Sequence, residues 1–197
     1  MLKLKKVAVT GGLSSGKSTV CQFFQQMGAS VISADEIVHN LLNQDPNVQT
    51  RVLDLLGRKI LEKGSLNRKA IAEKVFHNPD KLEQLEKILY PKVQKEIEKA
   101  YEMELRKGKS NLFIAEIPLL YEAGMATWFD DVIVVEADQK IRQTRFSGSS
   151  EDFNLRSKRQ MSLEDKVKNA DYILHNNGSQ EELKQSVKIL FTQLNKS

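Results

Sequence analysis

One stretch constrains this chain more than any other: Gly11-Gly12-Leu13-Ser14-Ser15-Gly16-Lys17-Ser18-Thr19, which follows the apolar run Val7-Ala8-Val9-Thr10 and opens a helical pattern over 18–27. Its spacing is Gly, four residues, Gly, Lys, Ser, at the point where a strand turns into a helix. Glycine at 11, 12 and 16 permits backbone dihedrals that side chains forbid. Consecutive N–H groups can then curl round an anion in front of the positive end of the next helix. Lys17 is placed to reach β- and γ-phosphates, and the Ser18 hydroxyl suits a ligand of Mg²⁺. A glycine-rich turn with a chance lysine is the alternative; it leaves the agreement of strand, spacing and Ser-Thr pair unexplained.

The remaining pattern is that of an α/β fold around this loop. Continuous apolar runs at 29–33, 112–115 and 132–135, with a shorter one at 172–174, read as strands buried on both faces, which argues for a parallel sheet covered by helices. Helical spacing occupies 35–42, 48–56, a long block from 78 to 105 interrupted by Pro91 (a kink or a new first turn), then 139–146, 155–169 and 181–194. Ser147-Gly148-Ser149-Ser150 is a flexible break. Residues 45–107 offer no convincing strand. The spacing therefore predicts a three-layer core from 1–44 and 111–197, an inserted helical domain over 45–110 that holds a second substrate, and a lid over about 142–160.

Composition narrows the setting. At 197 residues the chain can bury a sizeable core. Its one cysteine, Cys21, excludes an internal disulfide framework, fits a reducing compartment and reads as a small core residue. The apolar run between the basic first residues and the double glycine is too short for a signal-peptide core, and no run approaches a membrane span. A cytoplasmic protein, monomer or small homo-oligomer, without membrane or nucleic-acid partner, is the expectation. The net charge of +4, from 30 basic against 26 acidic residues, suits an anionic small molecule and comes with no basic tract interleaved with aromatics.

A phosphate loop states what is held; other residues must act on it. Asp35 follows the strand at 29–33, at the end where open parallel sheets place their ligands. It either acts on the substrate or caps the next helix; a capping box of Ser33 with Glu36 would release it for the first role. His39 lies one turn further on the same face. Glu116 ends a strand beside the loop, either ordering Mg²⁺ or its waters or simply solvated. Arg142, Arg145, Arg156, Lys158 and Arg159 flank the Ser-Gly break, an arrangement that suits a lid over a developing phosphoryl charge or, alternatively, a solvated pair of charged helices. His77 and His175 have no evident partner, and no ligand cluster suggests zinc.

Several stretches together give a resemblance over nearly the whole chain: Val9-Thr10-Gly11-Gly12 with the loop, Ser33-Ala34-Asp35 with His39, Leu66-Asn67-Arg68, Phe76-His77-Asn78-Pro79, Ile117-Pro118-Leu119-Leu120-Tyr121-Glu122, Arg145, 156–160, and Ala170-Asp171-Tyr172-Ile173 through Asn176 and Gly178. With these the sequence resembles the dephospho-CoA kinases, P-loop kinases similar in fold to nucleoside monophosphate kinases. The resemblance implies ATP-dependent phosphorylation of the ribose 3′-hydroxyl of dephospho-CoA, the last step of coenzyme A synthesis, with Mg²⁺. It implies that Asp35 is the catalytic aspartate, with Lys17 and a lid arginine, Arg145, acting on the phosphates. Residues 11–19 with Arg145 and Asn176 would hold ATP, Asn176 in the segment lining the adenine. Thr10, Asp35, His39, Arg68, Leu119 and Glu122 would hold the acceptor.

The sequence departs from the family pattern in four places. Ser33 stands where Asp-Ala-Asp would begin, Glu116 where Asp is frequent, Tyr90 where a His precedes Pro91, and the span between Arg145 and Arg156 is about four residues short. Two other readings compete. One is a nucleoside or nucleoside monophosphate kinase of the same fold; the other is a P-loop GTPase-type switch, for which Asp54-Leu55-Leu56-Gly57 supplies a D-x-x-G inside a helical pattern and no guanine-reading tetrapeptide appears.

Overall fold

The computed structural model describes residues 4–76 and 78–196; residues 1–3, His77 and Ser197 lie outside them, and so does the expectation for His77. The chain forms two compact units: residues up to Ser33 together with those from Ala100 onward, and Ala34–Lys99 between them. The second unit begins eleven residues earlier than the inserted domain expected at 45, because α2 is counted with it.

In chain order the elements are β1 (Lys5–Gly11), α1 (Lys17–Gln26), β2 (Ser30–Ser33), α2 (Ala34–Gln44), α3 (Pro46–Leu56), β3 (Leu61–Glu62), β4 (Ser65–Leu66), α4 (Arg68–Phe76) and α5 (Pro79–Lys107). They continue with β5 (Leu112–Glu116), β6 (Asp131–Glu136), α6 (Gln139–Arg145), α7 (Ser150–Ser157), α8 (Leu163–Lys168), β7 (Tyr172–His175) and α9 (Gln180–Leu194).

The first unit is built on a five-stranded sheet in the order β2-β5-β1-β6-β7, with every pairing parallel. Parallel pairing and burial on both faces explain why β1 and β5 read as continuous apolar runs rather than alternating ones. The chain leaves β1 for the β2 edge, returns to β5 and then crosses to β6, so the winding reverses at β1. Register sets Val9 opposite Glu116 and Gly11 opposite Val135, so the carboxyl ends of β1, β5 and β6 lie side by side at the reversal. Open α/β sheets place their ligands there.

Val7, Val9, Ile114, Ile133 and Val135 pack on one face against Val20 and Phe24 of α1 and Leu183, Val187 and Leu190 of α9. Cys21 is buried in this layer, as expected. On the other face Tyr101 meets Phe113 edge-on at 5.5 Å and donates to the Leu4 carbonyl at 3.0 Å. Lys6 lies among the rings of Tyr101, Trp128 and Phe129, with its ammonium 5.0–5.7 Å from their centroids.

In the second unit Asp45 caps α3 by accepting from the amides of Asn47 and Val48, and its other oxygen pairs with Lys92 of α5 at 2.9 Å. Val48, Val52, Ile60, Leu85, Ile88, Leu89, Val93 and Ile97 are among its buried apolar residues.

Five local expectations change. Residues 45–107, read as offering no convincing strand, include the short hairpin β3–β4. Pro91 neither breaks α5 nor starts a new helix: α5 runs through it, and the hydrogen bond Pro91 cannot donate is lost at the exposed turn around Lys87, where water can replace it. The helix expected over 155–169 is two helices, because Ser162 caps a new one by accepting from the Asp165 amide. No Ser33–Glu36 capping box forms among the described residues; α2 follows β2 without a linker, and the capping box that does form is Ser179 with Glu182 at α9. His175 does have a partner, Glu136, at 2.9 Å. Asp54 and Gly57 belong to α3 and its C-terminal cap, a helical context that the switch-protein reading of D-x-x-G does not fit.

Candidate active site

The loop between β1 and α1 has the geometry an anion site needs. Gly11 and Gly16 have φ of 147° and 98°, and Ser14 takes the left-handed region with φ of 57°, a strained setting for a residue with a side chain. Gly16 starts α1 with no side-chain cap, and the first turn carries no acidic residue. α3, α7, α8 and α9, by contrast, each begin with a capping Asp or Ser. The first N–H groups of α1 and its dipole are therefore directed at the curl of residues 11–16, where a phosphate would satisfy them. The Ser15 hydroxyl is buried inside that curl without a hydrogen-bond partner. These features fit a triphosphate.

Lys17 is buried, its ammonium donating to the Gly12 carbonyl at 2.9 Å and lying 3.5 Å from that of Gly11. Ser18 donates to Glu116 at 2.7 Å, across from the loop at the end of β5. This pair of hard oxygen groups fits Mg²⁺ or its waters, although among the described residues no cluster of three or more metal-binding side chains occurs. Burial, reinforced by Glu116, pushes the Cys21 thiol well above its ordinary range, so it remains a neutral packing group behind the loop.

Asn176 and Arg142 clamp the loop from the β6–β7 side. The Asn176 amide donates to the Ser15 carbonyl at 2.8 Å, and a Cβ on Gly16 would collide with it. Its own carbonyl accepts from Arg145 at 3.0 Å. Arg142 donates to the Ala137 carbonyl at 2.9 Å and lies so near Gly12 that a Cβ there would be 2.8 Å from its guanidinium. Burial lowers the pKa of Arg142, but from so high a starting value that the guanidinium stays charged. Two cation–π contacts, Arg142 over Phe153 and Arg156 over Phe146, and the edge-on pair of those rings hold α6 to α7. A depression of about 350 Å³ between these helices is lined by Arg142, Phe153, Ser157 and Lys158.

The acceptor residues expected from the sequence fall into two groups. In the first unit Thr10 donates to the Pro118 carbonyl at 3.2 Å, beside half-buried Leu119, and Glu122 accepts from the Met161 amide at 2.7 Å. In the second, Asp35 and His39 are exposed on one face of α2, and Arg68 at the start of α4 reaches the His39 ring at 3.3 Å.

A family model for dephospho-CoA kinase matches residues 5–182. The chain belongs to the dephospho-CoA kinase family. It is 47% identical over 195 residues to the dephospho-CoA kinase of Chlamydia pneumoniae, covering 97% of this chain and 96% of that one. Among solved structures it is similar to TT1252 from Thermus thermophilus (TM-score 0.80, 29% identity, 98% of each chain). It is also similar to the dephospho-CoA kinase from Campylobacter jejuni (TM-score 0.72, 28% identity, 96% of each). The dephospho-CoA kinase family thus accounts for the P-loop kinase core.

Two features of this family member escape its sequence. Asn176, expected beside the adenine, braces the phosphate loop from outside. Lys166, hidden in the charged stretch 163–168, is 0% exposed and ion-paired with Glu122 at 3.0 Å. The Ser162-x-x-Asp165 spacing could have marked its helix as a separate element. Removing the Asn176 brace with Asn176→Ala leaves the Ser15 carbonyl without its donor. About tenfold weaker ATP binding by titration calorimetry is expected, with a fall of a few degrees in melting temperature.

Proposed function

We infer that this chain catalyses transfer of the γ-phosphoryl group of ATP to the ribose 3′-hydroxyl of dephospho-CoA, giving coenzyme A and ADP. One observation carries the reading: the family match runs unbroken from β1 past β7, so it spans the phosphate loop, the 117–122 stretch and Asn176 as one piece. The chemistry of the residues supports it. Loop amides and Lys17 neutralise the β- and γ-phosphates, and Arg145 adds charge as it develops on the transferring group. Asp35 orients the acceptor hydroxyl and takes its proton as the new P–O bond forms and the bond to the ADP oxygen breaks. Ser18, with Glu116, would hold Mg²⁺, which would supply positive charge to neutralise the phosphates. Thr10, His39, Arg68 and Leu119 hold the acceptor, with Glu122 fixing the loop of residues 118–122 on that side; the helical residues of 45–110 form its binding domain, and residues 142–160 act as a lid. The setting is the cytoplasm; among the described residues no helix is long and apolar enough to cross a membrane.

The test is ADP release with an acceptor panel. Dephospho-CoA should exceed AMP, CMP, dTMP and nucleosides in kcat/KM by at least about a hundredfold, the discrimination expected when a site is built for its acceptor's polar groups. Preference for a monophosphate or nucleoside would overturn the substrate.

A further inference from the structure

Lys166 is a fully buried cation with no assigned part in the reaction, and what it joins is specific. Its ammonium donates to the Pro118 carbonyl at 2.9 Å and pairs with Glu122 Oε1 at 3.0 Å. The same Glu122 oxygen accepts from the Met161 amide, and Glu122 Oε2 is buried with no hydrogen-bond partner. Tyr121 between them donates to the Asn169 carbonyl at 2.8 Å. Pro118 also accepts from Thr10, the residue that leads into Gly11. Residues 118–122 are therefore strapped to the segment that leaves α7 and forms α8, and the strap is continuous with the end of β1. Burial pulls the Lys166 pKa down and Glu122 opposes it. A lone buried ammonium is costly, so a pair kept this far from water has geometry to hold.

We propose that Lys166 is a positioning residue: by clamping residues 118–122 to the chain following α7, it fixes the acceptor loop and the base of the arginine-bearing segment as one body, and so sets acceptor binding rather than nucleotide binding. This deepens the kinase reading and rests on it for the acceptor's identity. The phosphate loop has its own braces in Asn176 and Arg142, so the ATP side does not depend on the clamp.

Lys166→Met removes the ammonium at similar volume, and Lys166→Met with Glu122→Gln also removes the stranded carboxylate, which keeps a folded variant in hand. In both, the KM for dephospho-CoA should rise about tenfold or more while the KM for ATP stays within about twofold. Glu122→Gln added to Lys166→Met should give less than the product of the single effects, because both act through one contact. Hydrogen exchange read on the same proteins without substrate should quicken at Met161 and across 118–122, and stay unchanged at 11–18. An equal rise in both KM values, or kinetic constants unchanged while only the melting temperature falls, would overturn the proposal. Unchanged exchange at Met161 would overturn it whatever the acceptor. Failure of the wild-type enzyme to phosphorylate dephospho-CoA would instead count against the function itself.

Discussion

Lys17→Ala is expected to abolish productive nucleotide binding in a protein that remains folded. The Lys17 ammonium is held over the loop by the carbonyls of Gly12 and Gly11, which leaves it at the rim of the curl that receives the phosphates. Charge-assisted hydrogen bonds to phosphate contribute about 1.5–3 kcal/mol each, and Lys17 would make two or more, so ATP affinity should fall at least about a hundredfold. The fold should survive: Lys17 opens α1, alanine is the better helix former, and the apolar contacts of Val20, Cys21 and Phe24 behind it are untouched. Calorimetric titration with ATP and a thermal melt check both halves. Undiminished affinity would mean that the loop amides suffice and that Lys17 is a bystander.

Asp35→Asn should leave ATP binding intact and lower kcat by about 10²-fold or more, the usual weight of a general base. Asp35 is exposed in the first turn of α2, so the substitution removes no packed group. Its stability cost is confined to a lost favourable interaction with the helix dipole, about 0.3–1 kcal/mol. Structural and catalytic roles therefore separate by size. A fall of less than about threefold in kcat would reduce Asp35 to a residue that merely starts a helix; steady-state kinetics with saturating ATP decides it.

The phosphate loop was legible because an anion site makes demands that few residues meet: glycines at 11 and 16 for positive φ, an uncapped helix start, and a lysine within reach of the curl. The parallel sheet was legible for a similar reason, since strands covered on both faces carry no alternation. What stayed hidden depends on partners distant in sequence. Lys166 sits among Glu164, Asp165 and Lys168, and nothing in that run says that this one side chain turns inward to meet Glu122 and Pro118. Asn176 likewise shows no sign of its partner in the sequence, because its hydrogen bond to Ser15 spans 161 residues. Pro91 starts no new helix because the burial of Leu85, Ile88, Leu89, Val93 and Ile97 along the 29-residue α5 offsets the cost of a proline inside it.

The central claim is that the loop delivers a phosphoryl group to one hydroxyl of one acceptor. The most direct measurement is phosphorus NMR of the product formed from ATP and dephospho-CoA. The account predicts a new phosphomonoester coupled to the ribose 3′-proton, formed in step with ADP and absent with Lys17→Ala. ADP formed without that resonance, or a phosphate at another position, would contradict it.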